Sequence, residues 1–346
     1  MATAKKLPSG SWRVQVYAGK GPDGKPQYRS FTRPTRKEAE YDALQFQLHY
    51  KEVSRDTSMM TLSEAMDKYI QSKDGILSPS TIRSYCIIRR NRLTSLMDVK
   101  LNRLTQPMVQ AAINQEAKTS SPKYVRNTYG LLSAVLTEFH PGLRLNITLP
   151  QKRIIEQRIL DPEEISTLLK AIENTDMELP ILLAVWMCMR SSEITGLTWD
   201  CVDFSRATLT INQARVQDKN NKWVYKASTK NVSSSRTITI PDYILEKLKA
   251  AKNCSTSDHV VPYTGNGIYK RFKTILRKNG LPDIRFHDLR HTAASVMALL
   301  SVPTKYAQQR GGWSTPRTME SVYQHIIASK RSDVDKQIDT YYSSLL

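Results

Sequence analysis

Arg190 and Glu193 stand three residues apart in the phrase Met189-Arg190-Ser191-Ser192-Glu193-Ile194, directly after an apolar run from Leu179 to Met189. That spacing places both side chains on one helical face. A guanidinium among apolar residues is costly unless an anion meets it. Glu193 can be that anion, so the isolated pair reads as structural. Lys230 lies in the loop-rich stretch Thr229 to Ser235, where a lysine is usually just solvated. His287 and Arg290 are three apart in Phe286-His287-Asp288-Leu289-Arg290-His291, and His287 and His291 are four apart. The latter spacing is that of an HExxH zinc helix with Asp at the acid position. No third ligand is evident, and Arg290 would put fixed positive charge beside a divalent cation, so no metal is expected and His291 reads as a packed, hydrogen-bonded histidine. Gly311-Gly312-Trp313 follows, and then Tyr323, one of sixteen tyrosines and not distinguished by composition.

Taken in order, these elements say more. Arg190, Lys230, His287-Asp-Leu-Arg290, Gly312-Trp313 and Tyr323 resemble the catalytic signature of the tyrosine recombinase (phage integrase) family. The flanking phrases Met189 to Trp199, Thr229-Lys-Asn to Arg236-Thr-Ile, and Tyr323-Gln-His325 resemble it as well. Trp313 stands where many members carry a second histidine, and Cys188 where glycine is common before the Met-Arg pair. The resemblance implies DNA strand cleavage and rejoining with no cofactor, metal or ATP. Tyr323 would be the nucleophile, leaving a 3′-phosphotyrosyl link and a 5′-hydroxyl. Arg190 and Arg290 would grip the non-bridging phosphate oxygens, which guanidinium forks do better than lysine. His287 would be the general base, Lys230 would protonate the leaving oxygen, and Trp313 would donate its indole N–H. Glu193 would orient a neighbouring arginine or histidine.

These residues need elements to hold them. The patterning implies a multidomain α+β chain: a small sheet-plus-helix domain, an all-α domain, and a mixed, mainly α catalytic domain with a small antiparallel sheet. Ser11 to Tyr17 alternates, with Trp12, Val14 and Val16 on one face and Arg13, Gln15 and Tyr17 on the other. Gly21 to Lys25 reads as a turn, Gln27 to Thr32 as the returning strand, and residues 36–53 as a helix. A basic sheet of this size can enter a DNA groove, and Arg13, Gln15, Tyr17 and Arg29 are its candidate contacts. Thr61 and Glu64 have capping-box spacing, and helix periods follow near 61–73, 79–97, 106–117 and 121–138. Arg83, Arg89, Arg90, Lys123 and Arg126 form a candidate basic rim on this second domain. Residues 141–160 lack helical period and read as a linker. Asp161-Pro162-Glu163-Glu164 opens the last domain with a cap and a favourable first turn. The expected boundaries are thus 1–58, 59–140, 141–160 and 161–346.

Composition agrees with a polyanionic partner. The chain carries 51 Lys+Arg against 32 Asp+Glu, a net charge of +19, and the excess is spread over all three segments. The eleven-residue apolar run is too short to span a bilayer, which takes about 20 residues, and reads as one buried helix with Arg190 at its end; no secretory signal or membrane association is expected. Four scattered cysteines suggest neither disulfides nor a zinc site. The expectation is a cytoplasmic, nucleoid-associated enzyme of a bacterial host that acts on core and arm DNA sites. The resemblance implies a homotetramer on DNA, and accessory DNA-bending or excision factors are compatible with it. Val334, Ile338, Tyr341 or Tyr342, and Leu345 recur at helical spacing, so the C-terminal tail can dock on a neighbouring protomer or on its own domain. A type IB topoisomerase-like enzyme and a non-catalytic DNA-binding regulator are the alternatives. The extra basic sheet argues against the first and the tyrosine nucleophile against the second.

Overall fold

The computed structural model describes residues 3–20, 26–56, 59–152, 158–227, 235–313, 315 and 340–344. The chain divides into two units, residues 1–154 with 218–222, and residues 155–217 with 223–346.

In the first unit, β1 (Lys5–Lys6), β2 (Trp12–Lys20) and β3 (Pro26–Arg33) form an antiparallel sheet in that order, followed by α1 (Arg36–Asp56). Val14 and Val16 are buried against Ala39 and Ala43 of the helix, with Trp12, Phe31 and Phe46 alongside. The strands run slightly longer than the alternation alone predicts, because main-chain pairing continues past the last buried residue.

Four helices come next: α2 (Leu62–Lys73), α3 (Pro79–Asn91), α4 (Gln106–Thr119) and α5 (Pro122–Phe139). Thr61 Oγ1 accepts the Glu64 N–H while Glu64 Oε2 accepts the Thr61 N–H, closing the capping box. Helix α3 stops six residues earlier than its period predicts. Leu93 takes a left-handed φ of 53°, and its N–H is held by Glu116 Oε1 at 2.9 Å. Beyond α5 the chain is non-helical, and Leu143, Leu145, Ile147 and Leu149 pack against the helical core as an extended strap. Gln106 and Gln110 fix it by accepting the N–H groups of Asn146 and Thr148.

The second unit holds α6 (Pro162–Ile172), α7 (Glu178–Val185) and α8 (Ser191–Gly196). Then come β4 (Val202–Asp203), β5 (Thr208–Ile211), β6 (Gln213–Gln217), β7 (Trp223–Ala227) and β8 (Arg236–Thr239). Helices α9 (Asp242–Cys254), α10 (Gly265–Lys278), α11 (Asp288–Leu299) and α12 (Thr304–Gly311) complete the described elements. Strands β4, β5 and β8 form one antiparallel sheet in that order, and β6 and β7 form a separate ribbon. That ribbon has no counterpart in the sequence-based reading; β6 alternates as Gln-Ala-Arg-Val-Gln over only five residues, and all five are half-buried. Gly196 ends α8 against it; a Cβ there would lie 2.7 Å from the Arg215 nitrogen. A large apolar core built on α7, β5, β8, α9 and α10 holds the unit together. The molecule is thus helix-rich with small antiparallel sheets. Among the described residues no helix is long and apolar enough to cross a membrane.

Candidate active site

The apolar run after Leu179 is not one helix. Helix α7 ends at Val185, and Cys188, fully buried, adopts a left-handed φ of 56°. A side chain in this conformation costs about 1–2 kcal/mol, a cost that glycine would not incur. The break frees Arg190 from the apolar helix and makes it the extended residue preceding α8. Its pairing with Glu193 therefore rests on capping rather than on a shared face within the apolar helix. Glu193 Oε2 accepts the Arg190 backbone N–H at 2.9 Å, and Oε1 accepts Arg190 Nη1 at 2.6 Å.

A second arginine meets the same carboxylate. Arg236, the first residue of β8, donates Nη2 to Glu193 Oε2 at 3.0 Å and Nη1 to Oε1 at 3.3 Å. Both side chains of this pair are about 5% exposed. An ion pair this deep is tolerated only with its remaining donors and lone pairs satisfied. Burial pushes the Glu193 carboxyl up, but the hydrogen bonds and charge of Arg236, and then Arg190, outweigh it and hold the group below its ordinary range.

Helix α12 ends at the centre of this network. Its last carbonyls have no intrahelical partners, and three arginines supply them. Arg236 Nε donates to Arg310 O at 2.9 Å, Arg290 Nη2 to Gly311 O, and Arg190 Nη2 to Gly312 O at 2.8 Å. Cations at a helix C-terminus also complement its dipole. The two glycines are required sterically. Gly312 has φ +61°, and a Cβ there would sit 2.8 Å from Arg236 Nη1; one at Gly311 would collide with the Trp313 ring.

Arg290 comes from α11. It is 1% exposed, donates Nη1 to Cys188 O, and lies 4.4 Å from the centroid of the Trp313 ring. Burial brings it down to about 10, so it stays cationic at neutral pH. His287, immediately before α11, is exposed, and Asp288 behind it is buried and held by Arg285 Nε and Nη2. The His287 imidazole is drawn down to about 4. Desolvation of the covered part of the ring is the largest cause, His291 and Arg290 add to it, and Asp288 opposes it. The ring is therefore neutral at pH 7 and can accept a proton. His291 packs edge-on to it with centroids 5.2 Å apart, and its buried Nδ1 has no partner among the described residues. His291 is thus packed as expected, but the hydrogen bond also expected of it is not made by Nδ1 among the described residues.

The structure brings Arg190, Glu193, His287, Arg290 and Trp313 together through the end of α12 and the start of α11. Lys230 and Tyr323 lie outside the described residues, as do Val334, Ile338 and Leu345. Tyr341 and Tyr342 are exposed on a short helical turn. Sequence reasoning does not single out Arg236 as a site residue, although it stands in a phrase that resembles the family. An isolated arginine opening a strand reveals nothing of the carboxylate 43 residues earlier.

The candidate DNA contacts of the first unit divide differently from the sequence-based grouping. Arg13 pairs across the sheet with Thr32, Gln15 with Ser30, and Tyr17 with Tyr28, so these six residues share the face away from α1. Arg29 pairs with Val16 and so belongs to the helix side, where its guanidinium lies over Phe31 and Phe46 at 5.5 and 5.1 Å. Arg29 therefore lies on the opposite sheet face from Arg13, Gln15 and Tyr17. On the helices, Arg90 and Lys123 are exposed. Arg89 is engaged by Asp67 and Ser63 O, Arg126 by Pro150 O, and Arg83 by Asn221 Oδ1.

Comparison with known proteins gives a consistent answer. The model of the phage integrase family matches residues 158–330. A tyrosine recombinase XerC-like protein of Caldanaerobacter subterraneus subsp. tengcongensis is 24% identical over 379 aligned positions, covering 96% of each chain. The integrase of transposon Tn1549, solved with transposon right end DNA, superposes with a TM-score of 0.65 at 16% identity, covering 80% of this chain and 99% of that one. A lambda integrase tetramer bound to a Holliday junction gives a TM-score of 0.58 at 16% identity, covering 91% and 96%.

Proposed function

The chain belongs to the phage integrase family, and from that premise we propose that it is a site-specific DNA recombinase acting through a 3′-phosphotyrosyl intermediate. The observation that carries this reading is the Arg190 guanidinium. It is anchored on buried Glu193 and on Gly312 O, yet about a third exposed, with neutral His287 and buried cationic Arg290 in the same cluster.

A phosphodiester resists nucleophiles because its own oxygens are anionic, so charge developing in the transition state must be met by fixed positive groups. Arg190 has two of its five donors committed among the described residues, which leaves a fork for a non-bridging oxygen. Arg290 and the Trp313 indole add positive potential and a donor. The Tyr323 oxygen bonds to phosphorus as its proton passes to His287, and the bond from phosphorus to the 5′ oxygen breaks as Lys230 protonates that oxygen. The ester's free energy is kept in the phosphotyrosyl bond, so a 5′-hydroxyl from another duplex can reverse the step without ATP.

In this reading residues 1–58 bind arm sites through the Arg13, Gln15 and Tyr17 face, residues 59–140 bind the core site, and residues 161–346 cut. The strap and the residues after it, 141–160, join the last two. Two duplexes cut on both strands call for four protomers, and the C-terminal tail is the segment that links them. Accessory DNA-bending or excision factors and a nucleoid location fit the same reading.

The test is a nicked suicide duplex built from the DNA flanking the gene. The wild-type chain should form a covalent adduct, and Tyr323→Phe should bind the duplex equally well and form none. An adduct with Tyr323→Phe would remove the nucleophile assignment. No adduct with the wild type would remove the function.

A further inference from the structure

Resting on that reading, we propose that Arg236 is a positioning residue for Arg190, acting through Glu193 and the end of α12. The contacts close a ring. Arg236 grips both oxygens of Glu193; Glu193 holds the side chain and the backbone N–H of Arg190. Arg190 reaches Gly312 O, and two residues earlier Arg310 O accepts Arg236 Nε. Every member of the ring is thereby fixed from two sides.

The arrangement needs an arginine. One planar guanidinium meets two carboxylate oxygens and a carbonyl in different directions; a lysine at this position offers a single point charge. Arg236 also has no route to the phosphate of its own. Its side chain is only 6% exposed, against 32% for Arg190, and its Nη1 fills the space beside Gly312 where a Cβ would otherwise sit. Its effect on the reaction therefore passes through the groups it holds, and Glu193 hands it on to Arg190. It has an electrostatic part as well: Arg236 is the foremost influence holding the buried Glu193 carboxyl down against desolvation.

The experiment compares Arg236→Lys, Arg236→Gln, Glu193→Gln and the Arg236→Gln/Glu193→Gln double variant in the full-length protein. The readouts are single-turnover cleavage of the flanking-DNA suicide duplex from pH 5 to 8, duplex affinity, and thermal unfolding. Both Arg236 variants should lose about 10- to 100-fold in the cleavage step at pH 7, with duplex affinity within about threefold of wild type. In Arg236→Gln, Glu193 keeps its burial and loses its main counter-charge. Its pKa rises, and cleavage falls off on the acid side at a higher pH than in wild type. The double variant has no carboxylate to titrate, so it loses that acid limb and is no slower than the slower single variant. Should Arg236→Gln fail to fold, Arg236→Lys against Glu193→Gln supplies the same comparison. Wild-type cleavage in the Arg236 variants would overturn the proposal, as would loss of affinity and cleavage in equal measure, or additive losses in the double variant. Absence of cleavage by the wild-type chain would instead count against the recombinase reading itself.

Discussion

Arg190 Nη2 donates to the carbonyl oxygen of Gly312 at 2.8 Å across 122 residues of sequence. This contact ties the start of α8 to the end of α12. Arg236 and Arg290 donate to the two carbonyls just before it. A helix end that would otherwise expose three acceptors instead sets the spacing of three arginines.

Arg190→Lys keeps the charge but cannot hold Glu193 and Gly312 O together and still face a phosphate. Cleavage of the suicide duplex should fall about 100-fold or more, while a gel-shift titration shows affinity nearly unchanged. Retention of more than a tenth of wild-type cleavage would show that a point charge suffices.

Gly312→Ala introduces a Cβ at φ +61° and 2.8 Å from Arg236 Nη1. Denaturant unfolding should register a loss of about 1–3 kcal/mol. Unchanged stability would mean that Arg236 moves aside without cost.

As the proposed general base, His287 has to be unprotonated to accept the tyrosine proton. Its pKa is lowered to about 4, so the proton it gains on acidification is gained late. In the free enzyme the kcat/KM profile should therefore hold down to about pH 5 and fall only as pH drops through about 4. A limb at the ordinary histidine value of about 6.5 would mean that His287 is not in this environment when it acts. His287→Gln should remove the limb along with most of the rate.

The two sheet faces separate Arg13 from Arg29. Arg13→Ala should weaken binding of duplex arm DNA and lower the salt dependence of its affinity, because a phosphate or base contact is lost. Arg29→Ala should leave that affinity within about twofold and instead loosen the packing over Phe31 and Phe46, read as a lower Tm. Equal effects on binding would return Arg29 to the DNA face.

Much of this was legible in the chain itself, and the reasons are local. Thr61-x-x-Glu64 and Asp161-x-x-Glu164 close capping boxes because the atoms involved lie within one turn. The alternation from Trp12 to Val16 specifies which face packs on α1, and the order Arg190, Lys230, His287, Arg290, Trp313, Tyr323 specifies the family. Other features depend on pairings that no local pattern records. Arg29 changes face because cross-strand register sets it opposite Val16. The unbroken apolar run from Leu179 to Met189 suggests one buried helix, but Cys188 turns left-handed and gives Arg190 a capping position instead. Arg290 carries the same charge as Arg190 in sequence, yet tertiary packing buries it beneath Trp313 and leaves Arg190 at the surface. Arg236 gains its role only when β8 brings it to Glu193. Types and spacing of residues determine what chemistry is available; which cation faces solvent, and which is held behind it, is decided by burial and long-range hydrogen bonding, and these exist only once the chain has folded.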